Sequence, residues 1–337
     1  VQFKPEPGQH EGLKNPSIEI LYNSPNGNIW IGTKSGGISI FDISKSTFTD
    51  LDSLALELPN RIISFFVDEA GHYWIGSWGR GLYEYDPSEE KLNHYFGNSN
   101  VSCTYQTQDG TLWFGTNTGL MFRRPGNDQM EQYNTGSDFF WVTEITEVPS
   151  DSSIWLVGWN VGLTMLEYDN FTHKTFRLDN QYSKPLNTYS ILFDRKESLW
   201  IGTWGSGLYR FSTENYLSEQ VFLSSPKEAN KSADFDIILD IYQDPVNDIW
   251  VGTDGGGIVR FSENRKFHTL SSVTKGPGKS LHVNTVYSEP DGKLWLGTRS
   301  NGLIIVSDDY TYKRVGYANY AGGNRFKRFM VKDIYKD

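Results

Sequence analysis

Cysteine, basic charge and long apolar runs are all scarce in this sequence, and each shortage excludes something. Cys103 is the only cysteine among 337 residues, so no intrachain disulfide is possible and cysteine does not reveal the compartment. Acidic residues outnumber basic ones, 41 to 31. The resulting net charge of −10 disfavours nucleic acid as a partner, because phosphate binding requires a basic surface. Apolar runs of roughly 18 residues are absent, so we expect no membrane contact from this segment.

Helical periodicity and a secretion signal are missing as well. No stretch of useful length repeats its apolar residues every 3.6 positions. The first residues, Val1-Gln-Phe-Lys-Pro, do not have the pattern of a signal peptide. The chain has instead 15% aromatic residues and 33 glycines, which is typical of many short strands joined by tight turns.

One phrase occurs seven times along the chain. It consists of an apolar or aromatic residue, a tryptophan, another apolar residue, and then in six of the seven copies glycine followed by serine or threonine. Its tryptophans lie 39 to 50 residues apart, at Trp30, Trp74, Trp113, Trp155, Trp200, Trp250 and Trp295. A period of about 44 residues held over the whole chain indicates a repeat architecture.

The second repeat shows the structural unit most clearly. Its four short segments that favour β-strands are separated by turn signals, and they cover residues 61–67, 72–77, 82–86 and 91–96. The glycine-rich loop 78–81 joins the second segment to the third and is typical of a hairpin. Four antiparallel strands per repeat form a propeller blade. The sequence therefore predicts an all-β, seven-bladed β-propeller of four-stranded antiparallel blades with almost no helix.

The repeated tryptophan and glycine have a structural explanation within such a blade. The tryptophan lies in the middle of the second strand, where its large ring fills the wedge between neighbouring blades. The glycine two residues later permits close approach between the backbones of two sheets. We therefore interpret the seven repeat tryptophans as core residues.

The two ends of the chain carry strand patterns that lack a complete blade. The last residues, Phe329-Met-Val-Lys-Asp-Ile-Tyr-Lys-Asp337, align with the first strand of every repeat, and residues 326–337 are a candidate start of a further unit. Residues 1–4 resemble a fourth strand. We expect residues 1–337 to form a single propeller, either as part of a longer or double-propeller array or closed by pairing of its ends.

The repeated phrase, followed after a short loop by glycine, an apolar residue and an aromatic or apolar residue, resembles the two-component regulator propeller repeat. Repeat 4 departs from it with Val157-Gly158, and repeat 3 has the shorter loop Asn117-Thr-Gly119. The resemblance implies a periplasmic or otherwise extracytoplasmic sensor region of a hybrid two-component system, chiefly of Bacteroides, that detects glycan fragments. It also implies a following transmembrane helix and kinase, neither of which lies within this sequence.

Four tryptophans are not used by the repeated phrase, and they fall at related positions. Three of them, Trp78, Trp159 and Trp204, lie four residues after a repeat tryptophan. The same position is occupied in the other repeats by Lys34, Asn117, Asp254 and Arg299. The fourth, Trp141, precedes the first strand of repeat 4. In a four-stranded meander the loops that carry these residues emerge at one end of the sheet. We call this end the aromatic face.

Flat aromatic rings beside polar groups are suited to stack on sugars and to hydrogen bond their hydroxyls. The sequence therefore predicts that a soluble oligosaccharide or similar small polar ligand binds at Trp78, Arg80, Trp141, Trp159, Asn160, Trp204, Asp254 and Arg299. In the alternative interpretation these tryptophans cover the mouth of the propeller or pack on a neighbouring loop. A second propeller or a homodimer partner would also bury them.

Catalytic and metal-binding patterns are not recognisable in the sequence. Paired carboxylates, a nucleophile elbow and metal-ligand spacings are absent, so we expect no catalytic residue, no metal and no cofactor. A lyase of the virginiamycin B type, or a glycan lyase, is an alternative that would require a base on the aromatic face, for which His282 is the best candidate. A third interpretation is a protein-interaction scaffold.

Overall fold

The chain consists of short strands with almost no helix. The computed structural model describes residues 18–24, 27–42, 45, 47–50, 58–133, 141–178, 186–223, 236–262, 267–269, 281–288, 293–298, 303–306, 312–315 and 334–335. These ranges contain 29 strands and a single 3-10 helix of three residues, Pro149–Asp151. The predicted all-β character is confirmed. No helix in these ranges has the length and apolarity needed to cross a membrane.

Each of the first five repeats contributes four consecutive strands to one antiparallel sheet. Repeat 1 comprises β1 to β4, at Ile18–Asn23, Ile29–Thr33, Ile38–Asp42 and Thr47–Asp50. Repeat 2 comprises β5 to β8, at Ile62–Val67, Tyr73–Ser77, Leu82–Asp86 and Lys91–Tyr95. Repeat 3 comprises β9 to β12, at Val101–Gln106, Leu112–Thr116, Gly119–Arg123 and Glu131–Gln132. Repeat 4 comprises β13 to β16, at Trp141–Val148, Ser153–Trp159, Leu163–Glu167 and Thr172–Phe176. Repeat 5 comprises β17 to β20, at Thr188–Phe193, Ser198–Thr203, Leu208–Ser212 and Ser218–Val221.

The last two repeats share one sheet of eight strands. Repeat 6 comprises β21 to β24, at Ile238–Gln243, Ile249–Gly255, Ile258–Phe261 and Phe267–Thr269. Repeat 7 comprises β25 to β28, at Leu281–Ser288, Leu294–Thr298, Leu303–Val306 and Tyr312–Val315.

The predicted number of blades is wrong, because hydrogen bonding joins these last two repeats. Strand β22 continues two residues past Thr253, and there Asp254 pairs with His282 and Gly255 pairs with Leu281 of β25. The described strands therefore form six sheets rather than seven four-stranded ones: four sheets of four strands, one of five and one of eight. Counted by hydrogen bonding, the propeller has six blades.

The five-stranded sheet contains a short strand from the C-terminal segment. Strand β29, Ile334–Tyr335, pairs in parallel with Leu21 and Tyr22 of β1. The predicted N-terminal strand, residues 1–4, lies outside the described residues, as does most of 326–337. The expectation that 326–337 opens a further unit stays a prediction.

The second strand of each repeat lies at the centre of the packing, and its tryptophan is buried as predicted. The seven repeat tryptophans are between 0 and 6% exposed. Several of them contact a ring of the next sheet: Trp74 lies 5.1 Å from Phe114, and Trp200 lies 5.2 Å from Phe261. Because each ring fills the space between two sheets, its burial stabilises the association of neighbouring repeats.

The repeat glycine is required by close approach of the next sheet. A Cβ atom on Gly115 would lie 2.9 Å from the carbonyl oxygen of Val142, and one on Gly252 would lie 2.8 Å from that of Val283. Both carbonyls belong to the first strand of the following repeat. A larger residue would force the two sheets apart, so the predicted role of this glycine is confirmed.

A carboxylate in the turn between the first and second strands fixes the tryptophan ring in three repeats. The indole N–H groups of Trp74, Trp200 and Trp250 donate to the aspartates six residues earlier, Asp68, Asp194 and Asp244, at 2.8, 2.7 and 2.9 Å. The second oxygen of each aspartate accepts backbone N–H groups of the same turn. One side chain thus satisfies the turn and the buried indole together.

The first strand of each repeat has a register shift near its beginning, at its second residue in five repeats, at the third in repeat 4 and at the fourth in repeat 7. These residues are Glu19, Ile63, Ser102, Thr143, Tyr189, Leu239 and Asn284. A bulge bends the strand and re-aims its side chain. The bulged residues lie where the first strands begin, which is the end of the propeller that carries the aromatic face.

Candidate functional site

The four unassigned tryptophans form two pairs of contacting rings at one end of the propeller. The rings of Trp78 and Trp141 are 5.4 Å apart and tilted by 58°, and those of Trp159 and Trp204 are 5.4 Å apart and tilted by 49°. Tyr189, a bulged residue, extends the second pair with its ring 5.3 Å from Trp204. Each pair joins residues of two different repeats.

The two pairs are linked by backbone pairing. Trp141 is the first residue of β13 and pairs with Trp159, the last residue of β14. Both therefore lie at strand ends rather than in the loops that the sequence predicts. The indole N–H of Trp141 donates to the Ser102 hydroxyl of the adjacent sheet at 2.6 Å. The two ring pairs consequently lie next to each other, and we call the four rings the arc.

Thr188 explains why the loops of repeats 4 and 5 come together. In most repeats a hydroxyl at the end of the second strand donates to a glycine carbonyl of the following hairpin, as in Thr203 to Gly207 at 2.8 Å. Repeat 4 has Gly158 at this position and lacks the hydroxyl. The Thr188 hydroxyl, from repeat 5, donates to the Gly162 carbonyl at 2.7 Å and accepts the Gly158 N–H at 2.9 Å. Because repeat 4 lacks its own hydroxyl, the hydrogen bonds of Thr188 connect the Trp159 hairpin to the sheet that carries Trp204.

A guanidinium group covers one face of the first ring pair. The Arg61 guanidinium carbon lies 4.0 Å from the ring centre of Trp78, which is a cation–π contact. The Arg61 Nε–H also donates to the buried Glu19 carboxylate at 3.2 Å. Glu19 therefore neutralises the charge of Arg61 beside Trp78.

The polar residues that the sequence predicts for the site have different environments. Arg80 is exposed, and its backbone carbonyl lies 2.7 Å from His94 Nε2. Asn160 is also exposed and has a left-handed backbone with φ of 60°. Arg299 lies outside the described residues. The structure therefore brings the four tryptophans together but shows no direct contact from Arg80 or Asn160 to them.

Asp254 lies beside the histidine that the sequence singles out as a candidate base. Its Oδ1 atom is 2.5 Å from Nδ1 of His282, and both side chains are partly exposed. The same two residues pair through their backbones where repeats 6 and 7 merge. A carboxylate at one ring nitrogen orients the imidazole and leaves Nε2 as the second nitrogen for other contacts.

Two residues of the site were missed by reasoning from the sequence. Tyr189 occupies the bulge position, whose occupants in the seven repeats share no residue type, so the repeat alignment gives no signal. Asp236 lies next to the Trp204 hairpin, and its carbonyl accepts the N–H groups of Gly205 and Gly207 at 2.9 and 2.8 Å. Burial raises the pKa of the Asp236 carboxyl above its usual range.

A cleft of about 550 Å³ lies at the opposite end of the propeller, between repeats 2 and 3. Its lining includes Asp68, His72, Asp109 and Arg123, and none of the four tryptophans. Beside it, the buried Glu84 carboxylate contacts the Tyr95 hydroxyl at 2.7 Å, the Asn93 amide at 3.1 Å, Arg123 at 3.0 Å and His72 at 3.2 Å. These charged side chains satisfy one another, which is the arrangement of a structural cluster. We therefore place the candidate ligand site at the aromatic face and not in the cleft.

Glu84 shows how this cluster depends on ionisation. Burial acts to raise the pKa of Glu84, but hydrogen bonds from Tyr95 and Asn93 and the charge of Arg123 outweigh burial, so the pKa lies below its usual value. In turn, burial and the contact with Glu84 raise the pKa of Tyr95 to about 12.

Comparison with known proteins supports the repeat assignment. A family model described as the two-component regulator propeller matches residues 95–118, which include the phrase around Trp113. Histidine kinase P4 of Formosa agariphila is 24% identical over 239 residues, which are 63% of this chain and 17% of the kinase.

Among solved structures, PorZ shows a similar fold at low sequence identity. PorZ, a surface component of the type-IX secretion system of Porphyromonas gingivalis, is 14% identical with a TM-score of 0.66, over 97% of this chain and 61% of PorZ. An extracellular domain assigned to a hybrid two-component system of B. thetaiotaomicron is 18% identical with a TM-score of 0.45, over 96% of this chain and 55% of that domain. The chain thus spans little more than half of these structures.

The fold and the repeated phrase together define the class of this protein, an all-β propeller. The match of residues 95–118 to the two-component regulator propeller model agrees with the resemblance seen in the sequence.

Proposed function

We propose that this chain is the extracytoplasmic sensing propeller of a two-component regulatory system and binds a soluble oligosaccharide at its aromatic face, without chemistry. The observation that supports this proposal is the arc of Trp78, Trp141, Trp159 and Trp204, two pairs of contacting rings that are joined by backbone pairing of Trp141 with Trp159. Trp78 is 36% exposed, and the other three rings are partly exposed. Exposed aromatic rings that are held in place by a rigid sheet framework are typical of a binding surface.

The second ring pair is the better candidate for direct stacking on a sugar. Trp78 has the Arg61 guanidinium over its ring. Trp159 and Trp204 have no cation over their rings among the described residues. We expect affinities in the micromolar range, corresponding to about −8 kcal/mol, because a few stacked rings and several hydrogen bonds contribute.

The experiment is titration calorimetry of the chain with neutral and acidic oligosaccharides, followed by Trp78→Ala, Trp159→Ala and Trp204→Ala. We expect each variant to stay folded and to bind at least about tenfold more weakly. Tyr216→Asn is the matched control. Tyr216 is 46% exposed in the turn of repeat 5 at the opposite end of the propeller, and asparagine tolerates its left-handed φ of 59°. If the three tryptophan variants bind as well as the parent chain, the aromatic face is not the ligand site.

Burial of the arc against a second propeller or a homodimer partner is the competing explanation for exposed rings. It predicts that the parent chain sediments as a dimer and that Trp204→Ala sediments as a monomer. Analytical ultracentrifugation of both proteins distinguishes the two explanations, since sugar binding does not require association.

A lyase is a second candidate function because Asp254 orients His282. A base at this pair would remove the C5 proton of a uronate while the C4–O glycosidic bond breaks and the leaving oxygen takes up a proton, which gives an unsaturated product that absorbs ultraviolet light. Turnover by the parent chain that is lost in His282→Ala would favour the lyase. Absence of turnover with saccharides that bind would exclude the lyase reaction for those saccharides.

A further inference from the structure

Asp236 lies beside the Trp204 hairpin on the aromatic face, and backbone hydrogen bonds fix its position. Its carbonyl accepts the N–H groups of Gly205 and Gly207, which belong to the Trp204 hairpin. The next residue, Ile237, forms a bridge with Trp204, and its carbonyl accepts the Asp254 N–H at 3.0 Å. The position of Asp236 relative to Trp204 is therefore set by backbone hydrogen bonds and not by a flexible side chain.

The carboxylate of Asp236 differs from the buried carboxylates of the framework. Asp194 and Glu84 each accept several hydrogen bonds. The Asp236 carboxylate is partly buried and has no hydrogen-bond or ion-pair partner among the described residues. Burial raises the pKa of the Asp236 carboxyl, because partial removal from water without a hydrogen-bond donor disfavours the charged form. A partly desolvated carboxylate without a donor is unfavourable for folding alone and is typical of a functional site.

The charges beside Trp204 favour an uncharged ligand at that part of the aromatic face. Arg61 is neutralised by Glu19, and its guanidinium stacks on Trp78 at the far end of the arc. Two carboxylate residues, Asp236 and Asp254, are held beside the Trp204 hairpin by backbone hydrogen bonds of Asp236 and Ile237. A uronate or sulfate placed over Trp204 would meet like charge.

From this arrangement we infer that Asp236 is a specificity-determining residue that accepts hydrogen bonds from hydroxyl groups of a neutral saccharide stacked on Trp204, and that it discriminates against acidic saccharides. A carboxylate presents two acceptor oxygens, which match two neighbouring hydroxyl groups of one sugar ring. This inference rests on the proposed function, because it names the class of saccharide that the same face binds.

The test compares neutral and acidic tetrasaccharides on the parent chain and on Asp236→Asn. The probes are tetrasaccharides of glucose, mannose and galactose, together with tetragalacturonate, which is the acidic counterpart of the galactose probe. We expect the parent chain to bind at least one neutral probe and to bind tetragalacturonate at least tenfold more weakly than the neutral probe. We expect Asp236→Asn to lose at least tenfold in affinity for the neutral probe. The difference between its affinities for the neutral probe and for tetragalacturonate should be smaller than in the parent chain. Asp169→Asn, an exposed carboxylate in the turn of repeat 4 at the opposite end, is the control and leaves both affinities unchanged.

The outcomes separate this inference from the proposed function. If Trp204→Ala loses the neutral probe and Asp236→Asn retains it with unchanged Kd, the aromatic face binds saccharide and the role of Asp236 is wrong. Tighter binding of tetragalacturonate than of every neutral probe by the parent chain also overturns the inference. If no probe binds at millimolar concentration, both proposals fail for these saccharides. Circular dichroism and the melting temperature of each variant show whether a loss of binding reflects unfolding.

Discussion

Two positions of the repeat, six residues before and four residues after the repeat tryptophan, lie at opposite ends of the propeller and behave differently. The position before it, in the turn, holds Asp68, Asp194 and Asp244, each bonded to its own indole. The position after it, in the hairpin, holds Trp78, Trp159, Trp204, Asp254 and others. In these three repeats the turn position makes the same contact within one sheet. The hairpin position varies, and several of its contacts reach another repeat, as in Trp159 with Trp204.

The difference distinguishes structural repetition from candidate function. The turn aspartate recurs in several repeats because its hydrogen bond to the indole lies within a single sheet. A residue that contacts a neighbouring repeat or a ligand depends on its place in the ring, so it is free to differ. The predictions below test this separation by stability measurements, from the largest expected effect to the smallest.

Trp113→Ala and Trp204→Ala test the separation most directly. Trp113 is fully buried and contacts Phe122 at 5.2 Å, so its truncation leaves a cavity and is expected to lower the free energy of unfolding by about 3–5 kcal/mol. Trp204 is partly exposed, and we expect Trp204→Ala to cost about 1 kcal/mol or less. Thermal and urea denaturation of both variants measure this. Equal losses would show that Trp204 is a framework residue.

Asp194→Ala removes a turn carboxylate. It leaves the indole N–H of Trp200 and two backbone N–H groups without their acceptor, so we expect a loss of about 2–3 kcal/mol. Asp169→Ala, an exposed carboxylate, is expected to change stability by about 0.5 kcal/mol or less. Urea denaturation checks both values, and a small effect of Asp194→Ala would contradict the structural role of the turn position.

Glu84 adds a pH dependence at the cleft end of the propeller. Its pKa in the folded chain is lowered, so its ionised form contributes stability that is fully present above the unfolded pKa of about 4.3 and is lost as pH falls through the folded value. We expect Glu84→Gln to be about 1–2 kcal/mol less stable than the parent chain at neutral pH. The difference should shrink under acidic conditions. Melting temperatures of both proteins across this pH range test the sign, and a difference that grows on acidification would contradict it.

Ser24→Asp introduces the turn carboxylate into repeat 1, where the residue at this position is serine. The indole nitrogen of Trp30 is buried without a hydrogen-bond partner among the described residues. An aspartate at position 24 supplies the acceptor that Trp74 finds in Asp68, so we expect a gain of about 0.5–1 kcal/mol. Ser24→Asn, which lacks the charge, should gain less. A loss of stability with Ser24→Asp would show that the turn of repeat 1 differs from those of repeats 2, 5 and 6.

Much of the fold could be predicted because its determinants are local in the sequence. The repeated phrase predicts the strands of repeat 2 to within about one residue of the observed bounds, and it predicts the burial of the seven tryptophans. Within a single meander, neighbours along the chain are also neighbours in the sheet, so the pattern of apolar residues and turns is sufficient. The same reasoning places Trp78, Trp141, Trp159 and Trp204 at one end of the propeller.

Contacts between repeats were decided only in the tertiary structure. Repeats 6 and 7 share one sheet because Asp254 and Gly255 pair with a strand that begins 26 residues after Gly255. No local sequence pattern predicts this pairing. Repeat 4 has Gly158 where other repeats have a hydroxyl residue, and the Thr188 hydroxyl of repeat 5 makes the hydrogen bond instead. This contact requires the two sheets to lie side by side. Sequence periodicity describes each sheet by itself, whereas the site is formed where different sheets meet. The residues of the face were therefore predictable one by one, and their pairing was not.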